Sequence, residues 1–257
     1  MNISGILQEM TLEDVEAFAP QVGVIGIGST EPHGPHLPYG TDTEILASIL
    51  QPAVRQANAR GARVLLLPLL PVSLNNNMRA FPYALRFGVT TFLQMLADLV
   101  DEFARQGVMK VVLVNGHGGN PDVLRAFQRD HCKHDGPFLA LINAYELATE
   151  VTHQVIVHPS DHAGELETSL MLACKPEWVH GERLADNPMQ PLRVDCLTSL
   201  PAYFVRPWHL YVPRSAGGDC RLATAEKGRA VQIAAVEELA QFLQALSDAP
   251  WSPTFPY

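Results

Sequence analysis

Cysteine is scarce and unpatterned in this chain: there are four, Cys132, Cys174, Cys196 and Cys220, and no Cys-x-x-Cys pair. Neither a disulfide framework nor a thiolate zinc site is expected from them. Lysine and arginine form no cluster and the net charge is −9, so the electrostatic footprint of a nucleic-acid binder is missing. A small molecule is the expected partner. Long apolar runs are absent too: stretches such as Val64 to Pro71 hold prolines and are far too short to cross a bilayer. Met1 to Met10 lacks a basic start followed by an apolar run, so no secretory leader is expected and a cytoplasmic protein follows. Internal repeats and low-complexity tracts are missing as well. What is present is ordinary globular composition, 47% hydrophobic and 18% charged, in a length of 257 residues that one core can serve. One domain over residues 1–257 is the expectation.

Continuous apolar runs of strand length recur along the chain: Val22 to Ile27, Val64 to Leu70, Val111 to Val114 and Phe138 to Ile142. Such runs suit strands buried on both faces, as in a parallel sheet. Between them lie helical periods. Phe92, Met95, Leu96, Leu99, Val100 and Phe103 share one helix face, with Gly107 placed to end it. Pro121 suits the first turn of a helix through Cys132, and Thr224 is a fair N-cap for a helix over Ala225 to Leu246. The proline-rich Glu182 to Pro213 reads as loops with one or two edge strands. The alternation predicts an α/β fold: a single three-layer domain with a mostly parallel central sheet flanked by helices.

Three segments carry chemistry. The first, Gly28-Ser-Thr-Glu31-Pro-His33-Gly-Pro-His36-Leu-Pro-Tyr-Gly-Thr-Asp42, directly follows a predicted strand, where open α/β sheets place their ligands. Glu31 and His33 are two apart, so an extended backbone turns both to one side. Asp42 stands at the predicted start of the next helix, after Gly40. Taken singly, these residues read as a surface glutamate, satisfied loop histidines and a helix cap. Their concentration among stiffening prolines and glycines argues for a metal site.

The second segment, Asn115-Gly-His117-Gly-Gly-Asn120, again follows a buried strand and presents His117 at its end. Asn-Gly is also a plain turn signal. The third is Asp161-His162-Ala-Gly-Glu165-Leu-Glu167-Thr-Ser169. If it is helical, His162 and Glu165 share a face, whereas Glu167 points nearly opposite to Glu165. That geometry selects Glu165 for the site and leaves Glu167 to support it. Acidic residues favoured by a helix N-terminus would account for the same pattern.

In this order the three segments resemble the signature of the creatininase family, from about Val22 to Ala173, with Gly218-Asp219 and Ala223 to Gly228 adding to the likeness. The resemblance implies a hydrolase holding two divalent metal ions. Glu31, Asp42 and His117 would hold one and His33, Asp42 and Glu165 the other, Asp42 bridging, with His162 as the proton-transfer group and Glu165 in the catalytic site. Independently, an oxygen and nitrogen ligand set suits zinc, manganese or iron(II). The family likeness also implies a homo-oligomer, often a hexamer.

Two departures bear on substrate. Pro32 stands where many relatives have glutamine, and Ser73-Leu-Asn-Asn-Asn77-Met-Arg-Ala-Phe-Pro82 replaces a Ser-x-Glu-His element and a Phe-Pro-Gly-Thr run. Asn75, Asn76 and Asn77 therefore suggest an uncharged, hydrogen-bonding pocket unsuited to creatinine, with Arg79 and Arg86 either solvated or clamping an anion. The expected reaction is amidohydrolase cleavage of a C–N bond in a small cyclic amide or formamide. The alternatives are hydrolysis of a keto-cyclitol or related carbohydrate ring on the same metals, and a metal-binding protein without catalysis.

Overall fold

The computed structural model describes residues 4–132, 136–160, 162–199 and 202–257; Asp161 of the third segment lies outside them. In chain order the elements are α1 (Leu12–Phe18), β1 (Val22–Ile27), α2 (Thr41–Ala59), β2 (Val64–Leu66), α3 (Val89–Arg105), β3 (Lys110–Asn115), α4 (Pro121–Asp130) and β4 (Phe138–Asn143). They continue with α5 (Thr149–Val155), α6 (Glu165–Cys174), β5 (Asp186–Asn187), α7 (Cys196–Ser199), α8 (Trp208–Tyr211), β6 (Gly218–Asp219) and α9 (Ala225–Asp248).

The main sheet has the order β2-β1-β3-β4, and every pairing in it is parallel. Alternation along each strand sends side chains to both faces, and both are covered. Val22 and Val24 of β1, with Val112 and Val114 of β3, pack with Leu46, Leu50 and Leu239 from α2 and α9. Ile25, Ile27, Val111 and Leu113 pack on the opposite side with Phe92, Leu96 and Leu124 from α3 and α4. Three layers result, because strands without a polar face need helices on each side.

Strand order places the site. The chain runs from β1 outward to β2 and then crosses to β3 on the other flank of β1, so the order reverses between β1 and β3. In open α/β sheets a crevice opens outside the carboxyl ends of the strands at such a reversal. Ile27 is in register with Asn115, so the loops that leave β1 and β3 start side by side.

Several local expectations are met. Thr224 accepts from Lys227 N at the start of α9, and Gly107 has φ +78° just beyond α3. Gly228 lets α9 cross α6 closely: a Cβ there would lie 1.9 Å from the Ser169 carbonyl oxygen. Others shift. The run from Val64 to Leu70 is a strand only as far as Leu66, since Pro68 has no N–H for the ladder; Leu70 regains a single parallel bridge to Ile27. Among the described residues, Glu182 to Pro213 holds β5, which pairs antiparallel with β6 beyond it, and the short helices α7 and α8.

Candidate metal centre

Glu31, His33, Asp42, His117 and His162 are all 5% exposed or less, and they converge beyond the ends of β1 and β3. Asp42 is the second residue of α2, so its carboxylate is fixed by the first helical turn. Its Oδ1 lies 3.0 Å from His33 Nε2, and its Oδ2 lies 3.1 Å from His117 Nδ1. The two oxygens thus address different imidazoles. Glu31 Oε1 is 3.4 Å from His117 Nδ1 and 3.7 Å from His162 Nδ1.

Each histidine is oriented from behind. His33 Nδ1 meets the Glu31 carbonyl at 3.1 Å, His117 Nε2 the Leu74 carbonyl at 3.0 Å, and His162 Nε2 the Pro32 carbonyl at 2.9 Å. A carbonyl accepts only, so in each neutral ring the proton sits on that nitrogen and the lone pair of the other faces the carboxylates. Metal-ligating histidines are held in this way.

The second segment forms a closed circuit around His117. Asn115 Oδ1 accepts from His117 N and Asn120 Nδ2, Asn120 Oδ1 accepts from Leu74 N, and the Leu74 carbonyl takes the imidazole. Gly119 makes this possible: a Cβ there would fall 2.4 Å from His117 Nε2 and 2.8 Å from the Leu74 oxygen.

The third segment departs from the expected geometry. The helix begins at Glu165, not before it, and His162 sits in the preceding turn, where Ala163 has φ +48°. The shared helix face that pointed to Glu165 therefore does not exist. Glu165 is fully buried, but it accepts from Lys227 Nζ at 2.5 Å and from the N–H groups of Val157 and His158. Glu167 folds back to accept from Ala163 N and brings Oε2 to 3.8 Å from His33 Nε2. Glu167 thus stands where Glu165 was expected, and Glu165 lies outside the cluster. The only sequence signal for this was the Glu-x-Glu spacing itself.

The asparagine run also lies elsewhere than expected. Asn75 is fully buried; its Nδ2 donates to Ser29 Oγ at 2.7 Å, and that hydroxyl donates to Glu31 Oε2 at 3.3 Å. It braces Glu31 from behind. Asn76 accepts from the exposed Arg86, and Arg79 is exposed.

Charge is concentrated here. Burial disfavours the His33 cation, yet Asp42, Glu167 and Glu31 outweigh it and raise its pKa to about 10. His117 is likewise raised, with Glu31 and Asp42 overcoming burial. Burial and the nearby His33 charge push His162 down to about 4, and burial lifts Glu167 to about 7. Burial would raise Glu165, but Lys227 and two backbone donors lower it.

Among the described residues, Glu31–Asp42–His117 and His33–Asp42–Glu167 each bring their ligand atoms within 4.8 Å of one another, as does Glu31–His33–His162. The donors are carboxylate oxygens and imidazole nitrogens only, which fits hard or borderline divalent ions. Asp42 Oδ2 gives the local test. It is buried with no hydrogen-bond partner, although His117 Nδ1 lies 3.1 Å away. A cation would satisfy it; the residues fit a metal.

Residues 8–243 match the family model Creatininase, described as creatinine amidohydrolase. The chain belongs to the creatininase family. It is 32% identical over 184 residues to the mycofactocin precursor peptide peptidase of Mycolicibacterium smegmatis, covering 71% of this chain and 69% of that protein. It is 25% identical over 260 residues to the 3-dehydro-scyllo-inosose hydrolase of Thermotoga maritima, 93% of this chain and 81% of that one. Among solved structures, a candidate creatinine amidohydrolase from Bacteroides fragilis superposes with TM-score 0.84 at 27% identity over 98% of this chain and 100% of that one. Family structures that share the fold include a manganese creatininase and a Zn–Zn type. The chain is thus a hydrolase of this family, with a buried carboxylate and imidazole cluster whose chemistry fits a metal.

Proposed function

We propose that the chain, as one domain over residues 1–257, is a dinuclear metal hydrolase that cleaves the C–N bond of a small amide. The observation that carries this reading is Asp42, whose two buried oxygens face the two separate imidazoles His33 and His117. Glu31, Asp42 and His117 would hold one ion, and His33, Asp42 and Glu167 the other. Zinc, manganese or iron(II) bound there would lower the pKa of water and polarise the amide carbonyl.

The chain's own residues do the rest. His162 Nδ1 faces the cluster while its other nitrogen is tied to the Pro32 carbonyl, so this ring is positioned to move a proton to the departing nitrogen. Met78, Ala84, Trp208 and Val212 form an apolar cluster whose Trp208 ring meets His162 edge-on with centroids 5.4 Å apart, and this keeps that side dry. Glu165, paired with Lys227, holds the start of α6 and thereby Glu167.

Substrates range from cyclic amides and formamides to a short peptide amide, the last supported by the mycobacterial relative's name. A carbohydrate ring is the second reading, supported by the Thermotoga relative. The complete set of buried donors argues against a protein that only binds metal. Four free cysteines suit the reducing cytoplasm. Tyr203, Val205 and Leu210, at 83%, 67% and 63% exposure, offer apolar surface that a further copy would cover in a homo-oligomer, a hexamer being the family expectation. Metal analysis of protein purified without chelator, with assays on lactams, formamides, peptide amides and keto-cyclitols, tests the proposal. Fewer than two ions per chain, or turnover of the cyclitols alone, would contradict it.

A further inference from the structure

A cavity of about 300 Å³ opens beside the carboxylate cluster, and Asp42 and Glu167 line it. Away from these two residues its walls are aliphatic: Ile45, Leu46 and Ile49 from α2, Leu166 and Leu170 from α6, and Val231 from α9. Leu46, Ile49, Leu170 and Val231 are each 6% exposed or less, so these walls belong to the packed core and not to a surface groove. Exposed Gly118 and Tyr145, the latter 44% exposed, mark the side open to solvent. The void therefore borders the cluster where Asp42 and Glu167 line it, is largely apolar elsewhere and opens toward solvent.

Its size and chemistry restrict the occupant. Ligand pockets run from about 300 to 1,000 Å³, so this one, at the lower limit, takes a single side chain and not a folded peptide. A dry apolar void of about half this volume already accepts a benzene ring. Thr152 and Ser160 add hydroxyls to the wall, but among the described residues no lysine or arginine lines it to receive an anionic group.

We infer that this cavity is the specificity pocket of the enzyme, and that it takes an aliphatic or single-ring apolar side chain of an amide whose carbonyl lies at the Asp42–Glu167 end. The inference rests on the amide reading of the cluster. It separates this chain from a hydrolase confined to compact polar rings: the best substrates carry an apolar branch next to the scissile bond. Ala235 is 1% exposed and faces the void from α9, and no role in metal binding falls to it.

Equilibrium binding of primary amides from acetamide to hexanamide to the protein as isolated, followed by calorimetry or NMR shifts, tests the pocket. Affinity should rise about fourfold per added methylene, the factor that corresponds to burial of one CH₂. Ala235→Leu, which fills part of the void, should weaken hexanamide by about tenfold or more and leave acetamide within about twofold. Ile49→Ala, which enlarges it, should let the gain continue for about one or two further methylenes, and it carries the test should Ala235→Leu not fold. Affinity that is flat along the series, or unchanged by the variants, overturns the pocket. Chain-length-dependent binding with no amide hydrolysed under any metal leaves the pocket standing and removes the amide reading.

Discussion

Glu165 accepts from Lys227 Nζ at 2.5 Å, and this ion pair ties the first residue of α6 to the first turn of α9. Its carboxylate is fully buried while the lysine is 23% exposed, so the pair is held largely away from water. The next glutamate along, Glu167, is the one turned to His33.

Glu165→Ala and Glu167→Ala should accordingly fail in different ways. The first leaves a half-buried lysine with only the Leu222 carbonyl and no carboxylate to offset its charge, and should cost about 3 kcal/mol of stability, with metal content retained in the folded fraction. The second should fold and lose one of two ions. Urea denaturation and metal analysis on both variants distinguish them. Metal loss confined to Glu165→Ala would reverse the assignment.

Asp42→Ala removes the residue shared by the two ligand groupings. Both ions should be lost, since each gives up a ligand and their mutual repulsion is no longer offset. A folded variant that keeps two ions per chain would rule out the bridge.

His162 bears on two roles, because its Nδ1 joins a grouping with Glu31 and His33 while its Nε2 is anchored at Pro32. As a proton-transfer group, His162→Ala should keep both metals and lose about 10²- to 10⁴-fold in turnover. If metal is lost as well, His162 is a ligand; if turnover is unchanged, it takes no part.

Gly119→Ala tests how tightly His117 is held. The added Cβ would meet His117 Nε2 at 2.4 Å, so the ring must leave the Leu74 carbonyl. Loss of such an orienting bond typically costs about 10- to 100-fold in metal affinity. Metal titration reads this directly, and affinity equal to that of the unaltered protein would show that the circuit around His117 is dispensable.

Much of this protein is legible in sequence because local rules decide it. Buried strands read as apolar runs, and the α3 and α9 helices read from period and caps, since both signals need only neighbours in the chain. The positions of Glu31, His33, Asp42 and His117 follow from the same logic: each sits within a few residues of a strand or helix end, so knowing the element places the residue. The creatininase likeness rests on those segments too. Tertiary structure decided the remainder. Glu165 and Glu167 are told apart by the distant partner each reaches: Lys227 lies 62 residues beyond Glu165, and His33 lies well over a hundred residues before Glu167. No local spacing contains that choice. Asn75 likewise reads as a pocket residue from sequence, whereas its amide donates to Ser29, 46 residues away. Periodicity reports which side of an element is buried, whereas the partner of a buried polar group is fixed by chain crossings that bring remote segments into hydrogen-bonding range.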